Sequence, residues 1–223
     1  PNKKYLQNYR ISFRHEQTYN HSETLKRSSS QLYLQLLTIG DTNIFYNYEY
    51  NWKKSHLEYQ FKDFINHFLR VSGKPLSFLD FNLSYKFGKD IAYREIIPQL
   101  GYETNINFDI EFAINNNLRV KPIISYQDIR KDDSNGYYFK GYIGRLDIRY
   151  QFNNNLDIRL ISEYNDFSEQ VFLQPLISWR PNPDTIFYLG GNQNYINNFI
   201  DYNSPYYRVN KTQLFLKFQY LFK

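Results

Sequence analysis

Three observations predict an all-β fold, an antiparallel up-and-down transmembrane β-barrel of about 12–14 strands. Apolar and polar residues alternate for about 10–14 residues at a time, longer than the ~5–6 usual in soluble strands. Aromatic residues make up 20% of the chain, with 23 Tyr and 19 Phe, and Tyr suits a water–lipid boundary, where a ring with a polar tip fits best. The C-terminal stretch Lys211–Lys223 ends as such barrels end: Leu214, Leu216, Phe218, Tyr220 and Phe222 share one face of an extended strand, with Lys217 and Gln219 on the other.

The elements follow in order. Tyr9, Ile11 and Phe13 oppose Arg10, Ser12 and Arg14, and a less regular strand covers Gln31–Ile39. Ile44, Tyr46, Tyr48, Tyr50 and Trp52 oppose Asn47, Glu49 and Asn51, and Leu57, Tyr59 and Phe61 oppose Glu58, Gln60 and Lys62. Leu79 to Phe87 and Ile106 to Ile114 alternate cleanly, as do Arg145 to Phe152 and Leu156 to Leu160. Mixed-face strands are expected over 91–104, 117–128, 169–181 and 184–196. Gly88-Lys89-Asp90, Asn115-Asn116-Asn117, Asn153-Asn154-Asn155 and Pro181-Asn182-Pro183-Asp184 read as short turns. Longer connections are expected near 63–76, 128–137 and 196–209, on the other side from the short turns, which is the asymmetry of an outer-membrane barrel. The count is then about thirteen, whereas bacterial barrels hold an even number, so a strand is missing upstream or the 20–40 region is misread.

Composition narrows the function classes. The mean hydropathy of −0.67 reads as soluble, but a barrel escapes that measure because its lumen side is polar. No stretch reaches the ~20 apolar residues of a helical span, so a membrane location requires a closed barrel. Zero cysteines exclude disulfides and thiolate metal sites. The charge of +5 comes without a basic cluster longer than Lys3-Lys4 or Lys53-Lys54, which argues against nucleic acid. The chain, lacking Met and a leader and starting within a patterned segment, reads as one barrel domain over 1–223 without its upstream part.

The expected lumen-lining residues are Asp80, Lys86, Asp109, Glu111, Arg145, Asp147, Arg149, Asp157 and Arg159, with opposite charges on neighbouring strands forming a salt-bridged wall. Phe81, Leu83, Phe108, Ile110, Leu146, Ile148, Phe218 and Tyr220 are expected to face lipid, and Phe218, Tyr220 and Phe222 to carry the C-terminal assembly signal. The competing architecture, a soluble β-sandwich or lipocalin-like barrel, shows the same alternation with the apolar face inside.

The run Gln174–Gly191 (QPLISWRPNPDTIFYLGG), followed by Arg208–Phe222 (RVNKTQLFLKFQYLF), resembles the C-terminal end of outer-membrane barrels from Bacteroidota. It is most similar to uncharacterised proteins that carry a family-9-like carbohydrate-binding domain ahead of the barrel. The resemblance covers about the last fifty residues, and the residues given include no such domain. It implies an outer-membrane location in a Gram-negative bacterium, with lipid and other envelope subunits or an N-terminal domain as partners. It brings no catalytic residues and no cofactor.

No residue set demands catalysis, so no enzyme is expected. His67 beside Asp63 and Asn66, with Ser72 nearby, has the residue types of a rim hydrolase but reads as a solvated loop. Asp132-Asp133-Ser134-Asn135-Gly136 lacks the later Glu of a calcium loop and reads as a polar turn. Gly190-Gly191 precedes no helix and reads as a place where the strand bends or a side chain crosses the lumen. Tyr46, Tyr48 and Tyr50, like Tyr5 and Tyr9, read as girdle rather than as a sugar-stacking track. The functional expectation is an anchor or subunit of a larger cell-envelope assembly, with a passive porin-like pore or transporter as the alternative and a rim-site enzyme last.

Overall fold

The computed structural model describes residues 5–132, 136–198 and 206–222. Among them are thirteen strands and no helix: β1 (Leu6–Tyr19), β2 (Leu25–Thr38), β3 (Asn43–His56), β4 (Tyr59–Phe61), β5 (Phe64–Leu76), β6 (Leu79–Ile91), β7 (Leu100–Ala113), β8 (Leu118–Arg130), β9 (Tyr137–Asn153), β10 (Leu156–Asn165), β11 (Gln170–Asn182), β12 (Thr185–Asn198) and β13 (Tyr206–Tyr220). They form one up-and-down antiparallel sheet in chain order, except that β4 pairs only with β3. β3 pairs with β4 through Lys54↔Phe61 and with β5 through Asn51↔Phe64. β4 and β5 are thus one strand opposite β3, interrupted at Lys62 and Asp63, where Asp63 takes φ 54° and accepts the Tyr50 hydroxyl at 2.9 Å. This makes twelve long rungs out of thirteen elements, so the odd number disappears without an added strand.

Several sequence expectations change. The strand expected over Gln31–Ile39 begins earlier, at Leu25, so that Ser28, Ser29 and Ser30 belong to β2 and the connection before it covers only 20–24. Residues 63–76 are not a loop but β5. Phe64 and Phe68 sit on the polar face there and blur the alternation. Gly88-Lys89-Asp90 is not a turn but the end of β6; Gly88 has φ 125°, and a Cβ there would lie 2.5 Å from the Ile65 carbonyl oxygen. The glycine admits a close backbone approach within the sheet rather than a reversal. The reversal comes instead at 92–99, inside the stretch read as strand 91–104. The connection near 128–137 narrows to 131–136 and that near 196–209 to 199–205, of which 133–135 and 199–205 lie outside the described residues. Connections of two to four residues (39–42, 77–78, 114–117, 154–155, 183–184) alternate along the chain with a second set that includes four residues at 166–169 and reaches eight at 92–99.

Asparagines build many of these turns. Asn115 Oδ1 accepts from the Asn117 and Leu118 amides at 2.8 Å, and Asn153 Oδ1 from Asn155 and Leu156 at 2.8 and 2.9 Å. Asn20, Asn165 and Asn182 repeat the device. A short side chain that imitates a backbone carbonyl satisfies amides the ladder has released, at about 1 kcal/mol per hydrogen bond.

The sheet divides into two compact units, one of Pro1–Leu76, Asp80–Phe108 and Ser125–Gly141, the other of Ser77–Leu79, Asp109–Ile124 and Tyr142–Lys223. In the first unit the register places Ile11, Leu34, Tyr46 and Leu69 in one row and Phe13, Leu32, Tyr48 and His67 in the next same-face row. The alternate rows are Arg14, Gln31, Glu49 and Asn66, and Glu16, Ser29, Asn51 and Phe64. In the second unit Tyr150, Ile158, Ile177, Leu189 and Leu216 form one five-strand row. Gln151, Asp157, Ser178, Tyr188 and Lys217 form a row on the opposite face. Each unit therefore has one apolar and one polar face, as period-two side-chain alternation requires.

Candidate functional site: the polar faces of the sheet

Burial is inverted relative to a soluble protein. Five hydrophobic residues are buried among the described residues, against ten polar or charged ones, including Ser29 at 0%, Asn51 at 1% and Glu103 at 4% exposure. Leu189, Leu214, Leu216 and Phe218 are exposed at 54%, 84%, 75% and 58%. Water-soluble folds bury apolar side chains and leave charges outside.

In the first unit the polar face holds a four-residue charge cluster, with two buried carboxylates and two half-buried lysines. Lys86 Nζ lies 2.5 Å from both Asp90 and Glu103, and Lys54 lies 3.3 Å from Asp90. Glu103 also accepts from the Gln127 amide at 3.1 Å, and the Ile91 backbone amide donates to Asp90 at 2.8 Å. Two ammonium groups against two carboxylates leave the cluster neutral. Nearby in sequence, Arg27 and Gln31 both donate to Glu49, at 2.7 and 3.0 Å.

In the second unit Lys121 pairs with Asp109 and Arg119 with Glu111, both at 3.1 Å, and Arg145 with Glu163 at 3.6 Å. Among the described residues, hollows open on this face. One, of about 270 Å³, is lined by Glu111, Arg119, Lys121, Asp147 and Arg149. Another, of about 300 Å³, has Arg149, Asp157, Arg159, Ser178, Arg180 and Tyr188 in its wall. At its edge Gly190 stands opposite Phe215, and a Cβ there would meet the ring at 2.8 Å. The missing side chain lets Phe215 lie across the strand.

The nine residues expected to line a lumen thus fall into these groups. Lys86 joins the charge cluster; Asp109, Glu111 and Arg145 form cross-strand pairs; Asp147, Arg149, Asp157 and Arg159 line the hollows. Asp80 stands apart, exposed and 4.0 Å from Lys74. Leu146 and Ile148 share a face with Leu160, and the Phe218 ring packs at a tilt against Phe187 at 5.0 Å in a row with Trp179. Phe81, Leu83, Phe108 and Ile110 are half-buried, and Tyr220 lies 4.8 Å from Phe222. Sequence reasoning missed Lys54, Asp90, Glu103, Glu163 and Arg180. Asp90 was hidden in a supposed turn, Glu103 in a strand of unclear phase, and Arg180 beside the Pro181 turn.

The hydrolase trio does not assemble. His67 lies mid-strand in β5 on the apolar face, bonded to the Tyr46 hydroxyl at 2.7 Å and stacked on Phe87 at 4.6 Å. Asn66 points to the opposite face, and Asp63 engages Tyr50. His15 meets Ser30 at 3.0 Å and His56 packs on Tyr93. No group of three or more His, Asp or Glu able to hold a metal occurs among the described residues. Of the acidic run, Asp132 pairs with Lys89 at 2.5 Å, and residues 133–135 lie outside the described residues. No described helix is long and apolar enough to cross a membrane, which leaves strand-based crossing open. No protein-family model, curated protein or solved structure matches the chain.

Proposed function

We propose that the sheet closes into a transmembrane β-barrel in the outer membrane of a Gram-negative bacterium, where it serves as the anchor or a subunit of a larger cell-envelope assembly. The observation that carries this reading is the inverted burial, in which apolar rows cross several strands on one face and ion pairs occupy the other. Lipid satisfies such an apolar face, and closing β1 on β13 leaves no edge unpaired in hydrocarbon. The turn asymmetry supports the same arrangement, with the set of connections that is shorter on average on the periplasmic side. His67, Tyr46 and Tyr48 then belong to the lipid-side aromatic surface.

The anchor is favoured over the pore because much of the charge on the polar faces is already paired. Lys54, Lys86, Asp90 and Glu103 neutralise one another, and the cross-strand pairs of the second unit do the same. Paired side chains fill space, whereas a conducting path needs fixed charge facing mobile ions. The folded chain inserted into a planar lipid bilayer is expected to leave the membrane electrically sealed. Discrete, reproducible current steps would overturn the anchor reading and favour the passive pore.

A further inference from the structure

Arg149 and Arg159 face each other directly across the β9–β10 pair, and both line the 300 Å³ hollow with Arg180. Like charges in directly opposed positions destabilise a sheet. None of the three has an ion pair among the described residues, and the Arg159 Nε is buried without a hydrogen-bond partner. Asp157 is the single acidic group in the wall. Lys217 stands on the Tyr188 ring at 5.7 Å and adds a further positive charge beside the hollow. The contrast with the rest of this face is sharp, since Arg119, Lys121 and Arg145 each have a carboxylate.

We propose that this hollow binds a small tetrahedral oxyanion, inorganic phosphate or a soluble phosphate ester. Three planar guanidinium groups converging on one space match phosphate oxygens in paired N–H···O contacts, and the Ser178 hydroxyl adds a neutral donor. A bound dianion relieves the Arg149–Arg159 repulsion that the unliganded protein carries. Leu176 is the single aliphatic residue in the wall, so the hollow has no place for acyl chains and selects a water-soluble ligand. The inference needs only the register of β9 to β13 and stands whether or not the sheet closes in a membrane.

Calorimetric titration of the folded full chain with inorganic phosphate, at ionic strength fixed with sodium chloride, tests it. One saturable site is expected. Arg159→Gln weakens binding at least tenfold, while Lys121→Gln, which removes the same charge from a paired position, leaves it unchanged. Absence of saturable phosphate binding, or equal weakening by both variants, overturns the proposal. A second measurement guards against misfolding: in phosphate-free buffer Arg149→Gln raises the melting temperature, and phosphate stabilises it less than the unsubstituted chain. A lower melting temperature for Arg149→Gln without phosphate would show that no repulsion is stored there and would equally sink the idea.

Discussion

Lys86→Met is expected to cost about 3–5 kcal/mol of unfolding free energy, because it leaves Asp90 and Glu103 as buried carboxylates without their shared cation. Asp90 is 7% exposed and Glu103 4%, so water replaces the lost contacts poorly. Lys54 remains at 3.3 Å from Asp90 but does not reach Glu103. The comparison that gives the number meaning is Lys121→Met. Its pair with Asp109 has both side chains 36% exposed, where solvent screens the attraction, and removal should cost less than about 1 kcal/mol. Denaturant unfolding of the two variants under identical conditions measures the difference. Equal losses would mean that the Lys86 cluster is solvated rather than a structural centre of the first unit.

The second large effect lies on the apolar face. Leu189 is the fourth residue of the row Tyr150, Ile158, Ile177, Leu189 and Leu216 and is 54% exposed. In water, Leu189→Arg at such an exposed position should change stability by no more than about 0.5 kcal/mol. In a bilayer the same substitution places a guanidinium in hydrocarbon and costs about 2–4 kcal/mol near the midplane. Reversible urea unfolding in lipid vesicles separates these outcomes, and the barrel account expects the larger loss. Arg208 provides the counterpart: it lies near the start of β13, beside the longer set of connections, and Arg208→Leu should be nearly neutral.

What the sequence made legible depended on how strictly each strand keeps its two faces apart. β9 and β10 alternate without exception over Arg145–Phe152 and Leu156–Leu160, on either side of the Asn153–Asn155 turn, and their faces could be written down residue by residue. β5 could not, since Phe64 and Phe68 occupy the polar face among Asn66 and Arg70. The serines at 28–30 look like a loop in isolation, yet Ser29 is buried opposite Asn51 because a small polar side chain fits where two strands crowd. Gly88 carries a turn signal that the sheet uses for close approach instead.

Charge composition of the polar face was likewise readable, whereas its pairing was not. Lys86 and Asp90 are four apart and share a face by alternation alone, but Glu103 reaches Lys86 only after a reversal at 92–99 that the local pattern conceals. Arg149 and Arg159 could both be placed on one wall. That they stand directly opposite each other follows from a strand register set by the turn at 154–155, which one shifted residue would have undone.

The central claim is that apolar rows meet lipid while the charged rows do not. The chain contains no cysteine, so single cysteines carrying a nitroxide label can be introduced without background. With Ile177→Cys on the apolar face and Gln151→Cys on the polar face, the folded protein in vesicles is exposed to oxygen and to a water-soluble nickel chelate. The account predicts that oxygen relaxes the label at 177 strongly and the chelate hardly at all, with the order reversed at 151. Ready access of the chelate to the label at 177 would contradict it.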